Sequence, residues 1–244
     1  MTPIVTALDR GLSIAMTTEQ TAALYRLLTW LSPSYPVGAF AYSQGLEGAI
    51  TQGYVRDPAT TRGWIEDSLT AGCLWSDSVI FARAHAAAND DNADALAAIC
   101  TFAQAFQPTA ELKLETLALG NAFLGVTRQT WPCEALARLE QMAGPNVVYP
   151  VAVATAAAGH CVALEPSLEG WLHAAVSSQI SAAIRLVPLG QSEGQRILAD
   201  LEKVIAATAL KARQTELEDL TTCTLMAEIC SMSHETQHTR LFRS

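Results

Sequence analysis

The sequence predicts an all-α fold, a single compact bundle of roughly nine or ten helices. Apolar residues recur at intervals of three and four along most of the 244 residues, and the alternation that is typical of strands is nearly absent. Pro58, Pro108, Pro132 and Pro150 each precede a helix-forming run. Because the fixed φ of proline suits the first helical position, these residues are expected at helix starts.

Individual elements follow from capping signals and periodicity. Thr17 and Gln20 form a capping-box pattern, so a first helix is expected to begin there, with an apolar face between Leu24 and Leu31. Helical spacing continues for more than four turns from Trp171 to Val187 and again from Ile197 to Ile205. Two polar stretches, Asn89–Asn92 and Met142–Asn146, are predicted to be connecting loops.

The domain organisation is predicted to be simple. Residues 1–16 lack strong periodicity and could form a mobile N-terminal arm. Residues 17–244 are expected to form one all-helical domain, in which 231–244 could be a flexible C-terminal tail. Lys211–Asp219 is either a solvated helical turn or a short linker.

Composition limits the classes of partner. Half of the residues are apolar and 16% are charged, which indicates either a large core or a core plus surfaces for other proteins. The net charge is −9 and the basic residues are scattered, so neither nucleic acid nor an anionic membrane is an expected partner. The uncharged run 147–164 is rich in alanine and contains Pro150, which favours a buried helix over a membrane span.

The six cysteines form no CxxC pair and lie in apolar, alanine-rich surroundings. They are expected to be reduced, buried thiols in a cytoplasmic protein. No cofactor is predicted.

The residues His234 to His238 match the H-E-x-x-H pattern of zinc hydrolases. Such a site needs a further protein ligand, and the six residues after His238 contain no His, Asp or Glu. A metal-dependent hydrolase is therefore kept only as a remote alternative. The glycine-spaced segment Gly190–Arg196 lacks a lysine and contains Glu193, so it favours a tight inter-helix connection or a partner-facing loop over a phosphate site.

The segment Ser32–Glu47, SPSYPVGAFAYSQGLE, combines two prolines with Phe40 and Tyr42 in a region of small residues. It is either an aromatic corner of the core or a recognition surface. It resembles the S-P-S-x-P-V-G-x-F-x-Y-S-x-G-L-E run of the UreF family of urease accessory proteins.

Three further segments resemble family signatures in the same order along the chain. Residues 111–116 resemble a charged helix start, although Ala110 and Lys113 stand where arginines are common. Residues 181–196 match with very few changes, and 234–244 resemble the C-terminal signature, with His238 where an aromatic residue is usual. The resemblance extends from about residue 20 to the last residue, which is essentially the whole predicted fold.

The resemblance implies a non-catalytic, helical scaffold that dimerises and joins a UreD/UreH-type accessory protein. Together they would recruit the UreG GTPase to the urease apoprotein for nickel insertion. An alternative within the same family is a regulator of GTP hydrolysis by UreG, for which Gln44, Arg185, Gln195 and Arg196 are the candidates, unless the two arginines only cap or pair with helix ends. The residues expected to bind partners are Phe40, Tyr42, Gln44, Glu47, Arg185, Gln191, Gln195, Arg196, His234, Glu235, Arg240, Phe242 and Arg243.

Overall fold

The computed structural model describes residues 16–244, which form twelve α-helices and no strand. The prediction of an all-α fold is confirmed. The helices are α1 (Thr18–Trp30), α2 (Leu46–Thr51), α3 (Pro58–Ala71), α4 (Cys73–Asn89), α5 (Ala93–Ala105), α6 (Ala110–Thr130), α7 (Glu134–Ala143), α8 (Tyr149–Gly159), α9 (Leu164–Leu186), α10 (Gln191–Asp200), α11 (Glu202–Ala212) and α12 (Leu225–His234). Short 3₁₀ turns lie at Ala39–Ala41 and Leu217–Asp219.

There are more helices than the periodicity predicts because some breaks are only one residue long. Gly72 separates α3 from α4, and Leu201 separates α10 from α11, so the apolar spacing continues across both boundaries. The proposed N-terminal arm, residues 1–16, lies almost wholly outside the described residues. The division into one domain and a tail stays a prediction.

Local signals place most of the helix starts. The Thr17 hydroxyl accepts from the Gln20 amide at 3.1 Å and the Gln20 side chain accepts from the Thr17 amide at 2.9 Å, which confirms the capping box. Pro58 and Pro150 lie in the first turns of α3 and α8, as predicted. Pro108 and Pro132 instead precede the helix caps, so that prediction is wrong for them.

The centre of the molecule is α8, in which every residue from Pro150 to Ala158 is buried. Small side chains let neighbouring backbones approach closely, chiefly those of α4 and α6. An added Cβ at Gly120 of α6 would lie 2.7 Å from the carbonyl carbon of Val148, at the start of α8. The predicted buried helix in 147–164 is therefore present, and no helix within residues 16–244 is both long and apolar enough to cross a membrane.

All six cysteines are free. Cys100 and Cys230 are buried, whereas Cys161 and Cys223 are exposed. The prediction of burial is wrong for Cys161 and Cys223. Cys161 lies just after the end of α8, and Cys223 lies in the loop before α12, so neither is part of a buried helix face.

Candidate functional site

Residues from all four segments singled out in the sequence lie close together. Glu47 comes from α2, Glu111 and Glu115 from α6, Arg185 from the end of α9, and His234 from the last position of α12. Glu111 and Glu115 share one face of α6 because residues four apart lie one above the other on a helix. Because α12 packs against α2 and α6, His234 lies next to the glutamates of both helices.

His234 is fully buried and lies between two carboxylates. Its Nδ1 is 2.8 Å from Glu111 Oε2 and its Nε2 is 3.1 Å from Glu47 Oε2. Both carboxylates are themselves buried. Buried charges are stable only when they are paired and hydrogen-bonded, so the surroundings of these three side chains must complete the site.

The C-terminal segment completes it. The backbone amides of Leu241 and Phe242 donate to the two oxygens of Glu47 at 2.7 and 2.8 Å. Arg240 donates to Glu111 Oε1 at 2.7 Å. Two carboxylates, one imidazole and one guanidinium thus form a group that we call the clasp: Glu47, Glu111, His234 and Arg240.

Polar contacts continue from the clasp into the molecule. The Ser244 hydroxyl donates to Glu115 Oε2 at 2.5 Å, and the Ser43 amide donates to the Ser244 carbonyl at 3.0 Å. On its other side Glu115 accepts from the Gln44 amide group at 3.2 Å. Gln44 in turn accepts from Gln179 of α9. The network therefore joins the Ser32–Glu47 segment, α6, α9 and the last residue.

A cavity of about 290 Å³ lies beside this network, with Gln44, Asp77, Glu115 and Gln179 among its lining residues. Burial raises the pKa of Glu115 to about 7, against the lowering effect of its bonds from Ser244 and Gln44. Burial also raises the pKa of Asp77 to about 7, and the nearby charge of Glu115 adds to the shift. The cavity thus has two carboxyl groups that titrate near neutral pH.

Aromatic and arginine side chains cover the outer side of the network. The Arg185 guanidinium donates to the Phe40 carbonyl at 3.1 Å and lies 4.2 Å from the ring centroid of the buried Phe242. Arg243 donates its amide to the Ala41 carbonyl at 2.8 Å and places its guanidinium 5.7 Å from the Tyr42 ring. The side chain of Phe40 is 73% exposed. We call this group the arginine–aromatic patch: Phe40, Tyr42, Arg185, Phe242 and Arg243.

The structure thus brings most of the predicted site residues together, but in different roles. Glu47, Tyr42, His234 and Phe242 are buried, and Gln44 is half-buried. The Ser32–Glu47 segment contains both features that its sequence left open, since Tyr42 belongs to the core and Phe40 to the surface. The remaining predicted residues of α10 and the tail are exposed: Gln191, Gln195, Arg196 and Glu235.

The H-E-x-x-H pattern does not have the geometry that a zinc site requires. Helix α12 ends at His234, so His238 is not one turn further along the same helix face. His234 is enclosed between carboxylates, whereas His238 is exposed. Within residues 16–244 no group of three or more His, Cys, Asp or Glu side chains is placed to hold a metal ion.

Sequence reasoning missed several residues of the network. Glu111, Glu115 and Ser244 were not among the predicted site residues, although the i, i+4 spacing of the two glutamates was a usable signal. It also missed an exposed apolar stripe on α12, because that helix was not predicted. The stripe comprises Leu225, Met226, Ile229 and Met232.

Comparison with known proteins gives one consistent match. A family model described as UreF matches residues 55–202. The urease accessory protein UreF of Bradyrhizobium sp. (strain ORS 278) is 48% identical over 227 residues, which cover 91% of this chain and 92% of that protein. The same-named protein of Rhodopseudomonas palustris (strain BisB5) is 46% identical over 229 residues, with 94% of each chain covered.

A third relative extends the match over nearly the full length. Urease accessory protein UreF of Bradyrhizobium sp. (strain BTAi1 / ATCC BAA-1182) is 44% identical over 245 residues, which cover 98% of this chain and 100% of that protein. The family model covers more than half of the chain, and its range includes α6 and α9, which carry Glu111, Glu115 and Arg185. The chain therefore belongs to the UreF family of urease accessory proteins.

Proposed function

We propose that this chain is a non-catalytic scaffold in urease maturation, which joins a UreD/UreH-type protein and recruits the UreG GTPase to apo-urease for nickel insertion. The observation that carries the proposal is the convergence of the four segments on one buried network with an arginine–aromatic surface. A buried network that positions arginine and aromatic side chains at the surface suits an adaptor protein. Nickel would then be cargo of the assembly.

The arginine–aromatic patch has the composition of a protein-binding surface. Aromatic and arginine side chains contribute a large share of the energy at protein interfaces, particularly when they are held in place before binding. Phe40 is exposed, while Arg185 and Arg243 are each oriented by a backbone contact and an aromatic ring. We propose this patch as the main partner-binding surface and the apolar stripe of α12 as a second candidate surface.

The test is size-exclusion chromatography with light scattering, on the chain alone and mixed with its UreD/UreH-type and UreG partners. We expect a homodimer that moves into a larger complex. Phe40→Ala should weaken that complex by at least about fivefold, since truncating an interface anchor typically costs more than about 1 kcal/mol. Tyr54→Ala, at another exposed aromatic residue, is the matched control and should bind normally.

The proposal would be overturned if the chain bound neither partner at micromolar concentrations. Equal binding by the Phe40 and Tyr54 variants would overturn the assignment to the patch and leave the scaffold role standing.

A second proposed role is regulation of GTP hydrolysis by UreG. Gln195 and Arg196 are adjacent and exposed on α10, so both could reach a bound GTPase. Gln44 is a weaker candidate because its amide is engaged by Glu115 and Gln179. The test compares UreG turnover in complexes with the native chain, Arg196→Ala and the exposed control Arg56→Ala. Equal turnover in the three complexes would exclude Arg196, and turnover that is unchanged when the native chain is added to UreG would reject this role.

A further inference from the structure

We propose that His234 is a positioning residue that acts as a doubly protonated imidazolium, and that its charge anchors the C-terminal segment 240–244 on Glu47. The clasp would then release the segment as pH rises and His234 loses a proton. The consequence for partner binding rests on the proposed function, but the protonation state and the anchoring do not.

The first step concerns the two ring nitrogens. A neutral imidazole has one N–H donor and one nitrogen lone pair, whereas an imidazolium has two donors. Both nitrogens of His234 lie within hydrogen-bond distance of a carboxylate oxygen, at 2.8 and 3.1 Å. In a neutral ring one lone pair would face a carboxylate at that distance. With both glutamates ionised, only the imidazolium lets both contacts be hydrogen bonds.

The second step excludes the alternative in which a glutamate holds the proton. Both oxygens of Glu47 already accept backbone amides, from Leu241 and Phe242, and such bonds favour the ionised carboxylate. Glu111 accepts from the Arg240 guanidinium on its other oxygen, and a neighbouring cation also favours ionisation. The shared proton is therefore assigned to His234.

The third step is the charge balance of the clasp, in which Glu47, Glu111 and His234 are buried and the Arg240 side chain is 39% exposed. Glu47 and Glu111 contribute two negative charges, and His234 and Arg240 contribute two positive charges. One turn further along α6 lies Glu115, whose carboxyl group interacts with that of Glu111, and Cys230 lies one turn before His234 on α12. Removal of the His234 proton would leave a buried carboxylate without its partner, which is a costly state inside a protein.

The fourth step connects the charge to the segment. Glu47 is the only side chain within residues 16–244 that accepts the Leu241 and Phe242 amides, and His234 contacts the same Glu47 oxygen that accepts the Phe242 amide. The same segment places Phe242 under Arg185 and Arg243 beside Tyr42. Loss of the imidazolium would therefore disturb the arginine–aromatic patch without any change in its own residues.

The test needs no partner protein. Nitrogen-15 NMR of the full chain, labelled at histidine, distinguishes an imidazolium, with two similar protonated nitrogens, from a neutral ring with one bare nitrogen. The His234 signal is assigned by single replacement of the four other histidines, so the test survives if His234→Gln fails to fold. We expect the imidazolium at neutral pH. A bare nitrogen on His234 in the folded chain would overturn the proposal.

The second measurement is hydrogen exchange at the Leu241 and Phe242 amides as a function of pH, corrected for intrinsic exchange rates. We expect protection to fall by about tenfold or more over the range in which the His234 ring loses its proton, since charge-assisted bonds are lost. His238→Gln, at the exposed histidine nearby, should leave that profile unchanged. Protection that is independent of the His234 protonation state would overturn the anchoring role. Failure to bind partners with both results intact would instead count against the proposed function.

Discussion

The α4–α8 core and the clasp are both buried, yet different interactions hold them. Helix α8 is buried along Pro150–Ala158 and contacts α4 through small apolar side chains. The clasp buries two carboxylates, an imidazole and part of a guanidinium. Apolar contacts are non-directional, whereas hydrogen-bonded charges fix one arrangement. We infer that the core sets the stability of the fold and that the clasp sets the position of the tail.

The largest expected effect comes from Gly120→Ala, in the core. The new methyl group would clash with the backbone of Val147–Tyr149, which cannot rotate away as a flexible side chain could. Overpacking of this kind forces shifts of backbone, so we expect a loss of about 2–4 kcal/mol in the free energy of unfolding, measured by urea denaturation.

The matched control is Gly125→Ala on the same helix, where an added Cβ would meet no atom within 4 Å. It should be neutral or stabilise the chain by up to about 1 kcal/mol, because alanine favours helix more than glycine does. If both variants lose similar stability, close backbone approach is not what determines packing in the core.

The next effect is expected from Gly48→Ala, which is the corresponding change beside the clasp. Its Cβ would lie 3.1 Å from the Cys230 carbonyl carbon and closer to the Cys230 oxygen, so α12 must move away from α2. We expect hydrogen exchange in α12 and 240–244 to increase by about tenfold or more, with a smaller loss of global stability than for Gly120→Ala. Uniform acceleration over α4 and α8 as well would show that the clasp is part of the global folding unit.

The close contacts of Gly120 and Gly48 also show which features could be predicted from the sequence and which could not. Periodicity and capping predict the all-α class, α1 and α9, because they depend on near neighbours in the chain. The crossing of Gly48 over Cys230 depends on tertiary packing, and so does the meeting of Glu47 with His234. The resemblance identified the four segments, but their convergence could not be derived from spacing alone. The short helix α12 was missed although Leu225, Met226 and Ile229 have helical spacing, and only the structure shows that these side chains are exposed.

A third prediction concerns Asp77, a residue of the core helix α4 that faces the cavity beside Glu115. Burial raises its pKa from 3.8 to about 7, so in that window the unfolded chain has lost a proton that the folded chain keeps. Unfolding free energy should therefore fall as pH rises from about 4 to 7 and then level off. Asp77→Asn should reduce this fall by an amount on the order of 2 kcal/mol.

The control for Asp77 is Asp67→Asn, at an exposed aspartate of α3, which should leave the slope unchanged. Chemical denaturation at several pH values measures both. An unaltered slope in Asp77→Asn would mean that water reaches the Asp77 carboxyl group freely and that the cavity belongs to the solvent rather than to the core.

The smallest expected effects come from the same substitution, threonine to valine, made once in the core and once near the clasp. Thr155 of α8 is fully buried, and its hydroxyl has no hydrogen-bond partner within residues 16–244. Thr109 is also buried, but its hydroxyl caps α6 at Leu112 and contacts the Ser231 hydroxyl at 2.8 Å.

Thr155→Val should stabilise the chain by up to about 1 kcal/mol, because it removes an unsatisfied polar atom at constant shape. Thr109→Val should instead cost about 1–2 kcal/mol, since a helix cap is lost and Ser231 loses its partner. Thermal unfolding of the pair measures the difference, and a loss of equal size in both would mean that a water molecule satisfies Thr155, so that the core is not held by apolar contacts alone.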